Sequence, residues 1–154
     1  MNLLFVSNGT MTPVYAAVAK HLELLGNKIY WVVTEKKWQD HLSKDFEPEN
    51  ILCIKRTLRE NIPKAHNISI PLNEIIFIDR EVRTWDSTHS SQYVCNLHQK
   101  IKNFLISNQI KIAFSENTWA HEIIISMICD HDDEINCLHF SPHNLRIPDN
   151  RFAL

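Results

Sequence analysis

Residues 2–33, NLLFVSNGTMTPVYAAVAKHLELLGNKIYWVV, form the stretch that decides the fold. Asn2–Ser7 is a short apolar run that ends at Asn8-Gly9-Thr10, and this pattern predicts a buried strand entering a turn. Ile29–Val33 is a second apolar run, rich in β-branched and aromatic residues, which predicts another buried strand. A helical pattern connects the two runs. The whole stretch therefore predicts a βαβ unit, and such units build parallel sheets with right-handed crossovers.

The helix of this unit has a start signal, an apolar stripe and a stop signal. Thr12 before Pro13 predicts an N-cap followed by proline at the first helical position. Gly26 with Asn27 predicts the end of the helix, because glycine readily adopts the left-handed conformation found there. Four apolar residues repeat at helical spacing and predict the buried face: Val14, Val18, Leu22 and Leu25.

The rest of the chain continues the alternation of helix and strand. Residues 57–86 give no clear pattern, and within them NEIIFIDREVRTW (73–85) fits either a strand or a buried turn of helix. The other expected helices cover 35–44, 88–108 and a segment from Asn117 or Thr118 to about Cys129, and the other strands cover 51–54, 110–116 and 135–140. This order predicts an α/β fold, a three-layer Rossmann-like sandwich with a mainly parallel sheet of about five strands. We expect residues 1–154 to form a single domain.

Composition excludes several classes of protein. The chain contains only two glycines, where an average composition would give roughly eleven. Neither the dinucleotide motif G-x-G-x-x-G nor the Walker phosphate loop can be written with two glycines at these positions. An apolar fraction of 44% excludes disorder, and a net charge of −2 argues against a nucleic-acid partner. No apolar run approaches the ~20 residues that a transmembrane helix needs.

The four cysteines and the first residues of the chain indicate the cellular compartment. The cysteines are scattered, and MNLLFVSNGT lacks the basic region of a signal peptide. This combination predicts reduced thiols and a cytoplasmic location.

Polar loops follow three of the expected strands, at residues 7–12, 115–118 and 141–144. Open parallel sheets bind ligands beyond the carboxyl ends of their strands, so these loops predict a shared site. The first two loops precede helices, whose N-terminal N–H groups favour an anion or a sugar hydroxyl. The alternative is that Thr12, Asn117 and Thr118 only cap helices, and the sequence leaves both interpretations open.

The densest polar cluster is ENTWAHE at residues 116–122. Glu116 at a strand end and His121 in the following helix are candidates for a general base. The alternative is that Glu122 complements the helix dipole and Trp119 fills the core. The zinc-protease motif H-E-x-x-H is excluded because residue 125 is isoleucine.

The sequence also contains a group of residues that could bind a metal. Seven possible ligands lie within fifteen residues: Cys129, His131, Asp132, Asp133, Cys137, His139 and His143. Only the last two have a spacing typical of zinc ligands, so we predict no metal. The sequence supports a catalytic cysteine even less than a metal site, because no cysteine has a clear histidine partner in sequence.

Two charged segments remain. Arg146 and Arg151 are candidates for binding a phosphate or carboxylate, and the alternative is that both are surface charges. Residues 79–83, DREVR, are expected to be an exposed charge run.

Four of these segments also resemble a known family. The turn S-N-G-x-x-x-P (7–13), IDREVR (78–83), SENTWAHE (115–122) and SPHNLRIPDNRFA (141–153) are similar to the N-terminal half of bacterial capsule polysaccharide glycosyltransferases of GT-B fold. The resemblance covers most of the chain loosely and is sharp only at 115–122 and 141–153. It implies an acceptor-side domain that binds a sugar or glycan and is inactive alone. The nucleotide-sugar donor would bind a second domain, toward which residues 141–154 lead, or a separate chain; no cofactor is implied.

The resemblance also implies roles for the residues above. Glu116 or His121 would be the catalytic base, and Arg146 and Arg151 would face the donor or the missing second domain. The acceptor would be lined by Asn8, Gly9, Thr10, Asn117, Thr118 and His143. The competing interpretation is a stand-alone flavodoxin-like binding or regulatory module, or a partner subunit without catalysis. A phosphoacceptor receiver domain is disfavoured because Ser7-Asn8, not acidic residues, follows the first strand.

Overall fold

A computed structural model of the chain describes residues 1–55 and 71–141. Their strands are β1 (Asn2–Val6), β2 (Lys28–Val33), β3 (Ile51–Cys53), β4 (Ile112–Phe114) and β5 (Leu138–Phe140). Their α-helices are α1 (Thr12–Leu24), α2 (Lys36–Leu42), α3 (Leu72–Ile78), α4 (Ser87–Ser107) and α5 (Ala120–His131). Short 3₁₀ turns cover Gly9–Met11, Pro48–Asn50 and Val82–Thr84. No helix within the two described ranges is both long and apolar enough to cross a membrane.

The strands of the described residues form one five-stranded parallel sheet in the order β3-β2-β1-β4-β5. Strand β1 lies at the centre, where Leu4 is in register with Tyr30 of β2 and with Ala113 of β4. The chain thus builds outward from β1 in one direction and then crosses to its other side. This is the predicted Rossmann-like α/β arrangement, and the prediction is confirmed.

Alternate residues of β1 enter two separate apolar cores. Leu4 and Val6 pack in a cluster with residues of α3, α4 and α5. Leu3 and Phe5 pack on the opposite face with residues of α1 and α2. Because successive side chains of a strand point to opposite faces, the central strand is buried on both sides. The result is three layers, with helices on each face of the sheet.

The buried face of α1 differs from the prediction. Ala16 and Ala19 face the sheet and are buried. Val14, Val18 and Leu25 are instead 52%, 47% and 67% exposed. The small alanine side chains allow the helix to approach the aromatic residues of the sheet closely, so the larger apolar side chains lie outside. The prediction is therefore wrong for Val14, Val18 and Leu25, whereas Leu22 is partly buried and packs against this core as predicted.

Several boundaries also differ from expectation. Helix α1 follows the 3₁₀ turn, so its N-cap is Met11 and not Thr12. Helix α5 begins at Ala120 with Trp119 as N-cap, one or two residues after the predicted cap at Asn117 or Thr118. The segment 73–85, left open between strand and helix, contributes to α3 and to the turn Val82–Thr84.

Both glycines have backbone conformations that favour glycine. Gly9 has φ +45° and Gly26 has φ +85°. A Cβ atom at either position would have no neighbouring atom within 4 Å, so backbone conformation and not space explains the residue type. The predicted helix-ending role of Gly26 is confirmed, since its N–H donates to the Glu23 carbonyl at 2.9 Å.

Candidate functional site

The loops after β1 and β4 meet at the carboxyl edge of the sheet. Asn8 Nδ2 donates to Glu116 Oε2 at 3.0 Å. The Tyr15 hydroxyl, in the first turn of α1, donates to Glu116 Oε1 at 2.5 Å. The half-buried Glu116 carboxylate therefore connects the loop after β4 with both the loop after β1 and the helix that follows it. Two of the predicted site residues, Asn8 and Glu116, are brought into contact.

Tyr15 is a site residue that the sequence pattern did not select. Tyr15 lies three residues after Thr12, about one helical turn further on. The helix therefore places its side chain over the polar loop, although Tyr15 is not part of that loop in sequence. A phenol in the first turn after a polar strand-end loop is the signal that could have identified it. Its hydroxyl is separated from Glu116 by 101 positions in the chain, so the pairing itself could not be read from spacing.

Glu122 organises the loop that presents Glu116. Its side chain is fully buried, and Oε2 accepts hydrogen bonds from Thr118 N at 2.7 Å and from Trp119 N at 3.1 Å. The Thr118 hydroxyl donates to the same oxygen at 2.8 Å, and Glu116 N approaches Oε1 at 3.4 Å. Burial raises the pKa of Glu122, and these hydrogen bonds oppose the increase. The carboxylate acts as an internal cap for the residues before α5.

Asp79 joins the same structure from a distant part of the chain. It is fully buried, and its Oδ2 accepts a hydrogen bond from Ala120 N at 2.9 Å. Its Oδ1 accepts from Glu81 N and Val82 N, both at 3.0 Å. The expectation of an exposed charge run at 79–83 is therefore wrong for Asp79 and Val82, which are buried. The carboxylate is retained inside because it satisfies three backbone N–H groups.

These bonds bear on what the start of α5 can bind. The N–H groups of Thr118, Trp119 and Ala120 all donate to the carboxylates of Glu122 or Asp79. These are the groups that a helix N-terminus would offer to an anion. Here they are already used, and two buried carboxylates stand beside them. At this helix terminus the three N–H groups fix the preceding loop, and they are not available to bind a phosphate.

Comparison with protein-family models, curated proteins and solved structures finds no match to this chain.

The other predicted site residues have different positions. His121 lies in the first turn of α5 and is only 2% exposed, so it belongs to the interior of the fold. Gly9, Thr10 and Asn117 are exposed at the loops, and Thr118 is half-buried. Asn117 has φ +60°, a left-handed conformation that asparagine tolerates better than most residues. The remaining predicted residues lie outside the described ranges: His143, Arg146 and Arg151.

The serines at the ends of β1 and β4 are engaged in internal hydrogen bonds. Ser7 Oγ and Thr12 Oγ1 are 2.7 Å apart, which fixes the first turn of α1 against the strand. Ser115 Oγ and His139 Nε2 are also 2.7 Å apart, and this bond connects β4 to β5. Burial lowers the pKa of His139, so the neutral ring is favoured. These pairs hold the ends of β1 and β4 in place. In the loops that follow these two strands, Glu116 is the residue that carries a carboxylate.

The sequence places its possible metal ligands between residues 129 and 143, around α5 and β5, and we predicted that they bind no metal. Within residues 1–55 and 71–141, no three His, Cys, Asp or Glu side chains converge in a way that could hold a metal ion. His139 bonds to Ser115, while Lys102 forms ion pairs with Asp132 at 2.7 Å and with Glu134 at 3.0 Å. His143, which supplied the one zinc-like spacing, lies outside the described residues.

Glu116 has the chemistry of a general base or of a hydroxyl-binding group. Hydrogen bonds from Asn8 and Tyr15 fix the orientation of this carboxylate. An oriented carboxylate at a sheet edge can accept a hydrogen bond or a proton from a hydroxyl group.

Proposed function

We propose that this chain is the acceptor-side domain of a sugar-nucleotide-dependent glycosyltransferase that makes surface polysaccharide in the cytoplasm. The observation that carries the proposal is the Glu116 carboxylate, held by Asn8 and Tyr15 at the carboxyl edge between β1 and β4. Ligands of open parallel α/β sheets bind at this edge. The resemblance of residues 7–13, 78–83, 115–122 and 141–153 to capsule glycosyltransferases gives the reaction class.

In this proposal Glu116 is the base. It would accept the proton of the acceptor hydroxyl while that oxygen forms a bond to the anomeric carbon of the donor sugar. The bond from that carbon to the nucleoside diphosphate breaks, and the diphosphate leaves with the electron pair. Glu116 is favoured over His121 because the histidine is buried in α5, whereas a base must reach the substrate hydroxyl.

The donor would be bound by a second domain or a separate chain. The two glycines cannot form a phosphate loop, and the first N–H groups of α5 already donate to carboxylates. The acceptor would be lined by Asn8, Gly9, Thr10, Asn117, Thr118 and His143, and Arg146 and Arg151 would face the donor or the second domain. The chain alone would have little or no transferase activity and would use no cofactor.

A transfer assay tests the catalytic role. The chain is assayed with and without the polypeptide encoded directly downstream, using a panel of radiolabelled nucleotide sugars and membrane-derived glycan acceptors. Transfer is expected only in the combined sample. Glu116→Gln should lower turnover by about 10²–10⁴-fold, the usual contribution of a general base. Glu47→Gln is the matched control, because Glu47 is exposed and lies away from this edge.

Two results would contradict the proposal. Wild-type turnover in the Glu116→Gln enzyme, with its fold verified by circular dichroism, would remove Glu116 from the mechanism. Micromolar binding of UDP-glucose to this chain alone, measured by calorimetry, would refute the assignment of the donor to another domain. Failure to transfer with any downstream partner would favour the alternative of a binding or regulatory module.

A further inference from the structure

The outer surface of α1 is apolar although it is exposed to solvent. Ala16 and Ala19 face the sheet, and Lys20 points to one side, where it forms an ion pair with Asp45 at 2.6 Å. His21 is a polar residue on the outer surface. The exposed apolar residues of this surface, called the ridge below, are Val14, Ala17, Val18, Leu24 and Leu25. A helix that is apolar nearly all round is normally buried, so the ridge is a surface that another element should cover.

The same face of the sheet carries a second exposed apolar surface, on β4 and β5. Aromatic rings form a row across this face, with Phe5 and Phe114 at 4.8 Å and Phe114 and Phe140 at 5.4 Å between ring centroids. Helix α1 packs on β1 and β2, which buries Phe5. The other end of the row stays open within the described residues, because Phe140 is 41% and Leu138 is 69% exposed. The trough, as this surface is called below, is formed by Ile112, Phe114, Leu138 and Phe140.

The ridge and the trough adjoin each other. The Tyr15 hydroxyl of α1 reaches Glu116 directly after β4, so this flank of the helix borders the open strands. Six of the ten large apolar side chains that are exposed in residues 1–55 and 71–141 belong to the ridge or the trough. Such a concentration of exposed apolar side chains marks an interaction surface.

We propose that this chain forms a two-fold dimer in which the ridge of each copy fills the trough of the other. A helix is about 10 Å across, so α1 stands about that far above the open strands beside it. A single helix lying in the trough would cover Leu138 and Phe140 and leave Ala17 and Leu24 of the ridge exposed. A second copy covers both surfaces, because it supplies a trough for the ridge and a ridge for the trough. Mutual contacts of this kind close with two-fold symmetry.

The symmetry axis of this dimer runs along the strands. Rotation about an axis across the strands would place each α1 directly over its copy, whereas rotation about an axis along them sets the two helices side by side between the facing sheets. This rotation leaves the height along the strands unchanged.

Leu25 and Leu138 lie at the same height, at the amino end of the sheet. Leu25 comes just before β2, whose first residue, Lys28, is in register with Asn2. The Asn2 carbonyl accepts a hydrogen bond from Lys111 N at 2.9 Å. The Lys111 carbonyl accepts one from Leu138 N, also at 2.9 Å. Leu25 of one copy therefore lies beside Leu138 of the other.

The size of the interface sets the strength of the dimer. The 13 residues of α1 give a ridge about 20 Å long, and the trough is two strands wide. This places the contact at the small end of stable protein interfaces, where association is reversible. We expect a dissociation constant on the order of 10 µM.

Sedimentation equilibrium of the wild-type chain tests the dimer directly. The chain is measured from about 1 to about 200 µM, a range that spans the expected dissociation constant. The weight-average mass should rise from the 18.1 kDa of one chain toward twice that value. A mass that stays at 18.1 kDa at the highest concentration would overturn the proposal and leave the two surfaces to a different partner.

Single substitutions test each surface. Leu25→Lys changes the ridge, Leu138→Glu changes the trough, and neither residue belongs to the Glu116 site. Each should raise the dissociation constant by about 100-fold or more, because a charge is placed against an apolar surface at two equivalent contacts. Phe77→Lys is the matched control, since Phe77 is 73% exposed on α3, which packs on the other face of the sheet. This control should dimerise like the wild type.

Mixing the two variants tests the arrangement itself. A mixed dimer keeps one unaltered ridge in one unaltered trough, and its other contact places lysine against glutamate. The equimolar mixture should therefore associate at least about 10-fold more tightly than either variant alone. A dimer that pairs the two β5 edges would instead leave Leu25→Lys unaffected and gain nothing from mixing, and either result would overturn the proposal. Circular dichroism verifies each fold, and Val18→Lys or Phe140→Glu replaces a variant that does not fold.

Discussion

Glu122→Ala tests how the loop that carries Glu116 is held. The substitution removes the acceptor for Thr118 N, for the Thr118 hydroxyl and for Trp119 N, which lie 2.7, 2.8 and 3.1 Å from Oε2. A buried donor left without a partner costs about 1–3 kcal/mol. The loop is half-buried, so water can reach some of these groups and the lower end of that range applies. Three donors then give a loss of about 3 kcal/mol in the free energy of unfolding.

Glu122→Gln separates the hydrogen bonds from the charge. The glutamine carbonyl can occupy the position of Oε2 and accept the same three bonds. Its amide group then faces Glu116 N, whose bond to Oε1 is already long at 3.4 Å. Removing the charge also removes the cost of burying it. We expect this variant to stay within about 1 kcal/mol of the wild type, because the gain and the loss are of similar size.

The same pair of proteins should differ in pH dependence. Burial raises the pKa of Glu122 above its ordinary value of 4.5, so the folded chain holds this proton more tightly than the unfolded chain does. The associated stability is fully present below about pH 4.5 and is lost as the pH rises through the pKa of the folded state. Glutamine does not titrate. The stability of Glu122→Gln relative to the wild type should therefore increase as the pH rises across this window.

Urea unfolding followed by tryptophan fluorescence measures these effects at a series of pH values between 4 and 7.5. Equal slopes against urea concentration would indicate that the denatured states are comparable. Three results would refute the reasoning: a loss below about 1 kcal/mol in Glu122→Ala, equal losses in the alanine and glutamine variants, or a wild-type-to-glutamine difference that does not change with pH.

Three further substitutions test other parts of the structure by the same unfolding measurement. Gly26→Ala should cost about 1 kcal/mol, because φ is +85° and no neighbouring atom is close to the added Cβ; an unchanged midpoint would contradict the left-handed conformation. Asp79→Asn should cost about 2 kcal/mol, since either orientation of the amide places a donor against a backbone N–H, with Ala120 N the most distant partner in sequence. Lys102→Met should cost about 0.5–1 kcal/mol at low salt and less at 1 M salt; a loss independent of salt would exclude the ion pairs with Asp132 and Glu134 as its cause.

The layers of the fold were predictable because the signals for β1, α1 and β2 are local. The apolar run of Asn2–Val6 and the left-handed Gly26 each act within a few residues, and the βαβ rule converts them into a parallel sheet. The phase of α1 was not predictable from hydrophobicity, because Ala16 and Ala19 compete with larger residues of the same helix for the sheet. Which set faces inward depends on the volume that Phe5 and Trp31 leave above the sheet, a property of the assembled core.

The sequence predicted which loops meet at the candidate site, but it did not predict most of the hydrogen bonds between their residues. The rule for parallel sheets places the loops containing Asn8 and Glu116 at the same edge, and the structure joins these side chains. The start of α5 was predicted too early because Glu122 satisfies the preceding N–H groups from inside the helix, a role that a capping residue usually fills. The pairing of Asp79 with Ala120 spans 41 positions, and no local pattern contains such a contact.

The electrostatics of this edge bear on which substrate group it could receive. Three carboxylates, those of Asp79, Glu116 and Glu122, lie at or beside the start of α5, and two of them take up its first N–H groups. A phosphate at this position would find those N–H donors already engaged. A neutral hydroxyl could donate to Glu116 at little electrostatic cost, because the carboxylate is half-buried and already oriented. In the proposed enzyme, the donor phosphates must then be neutralised by groups outside this edge. The shortage of glycine leads to the same requirement independently, since it removes the loops that usually bind phosphate.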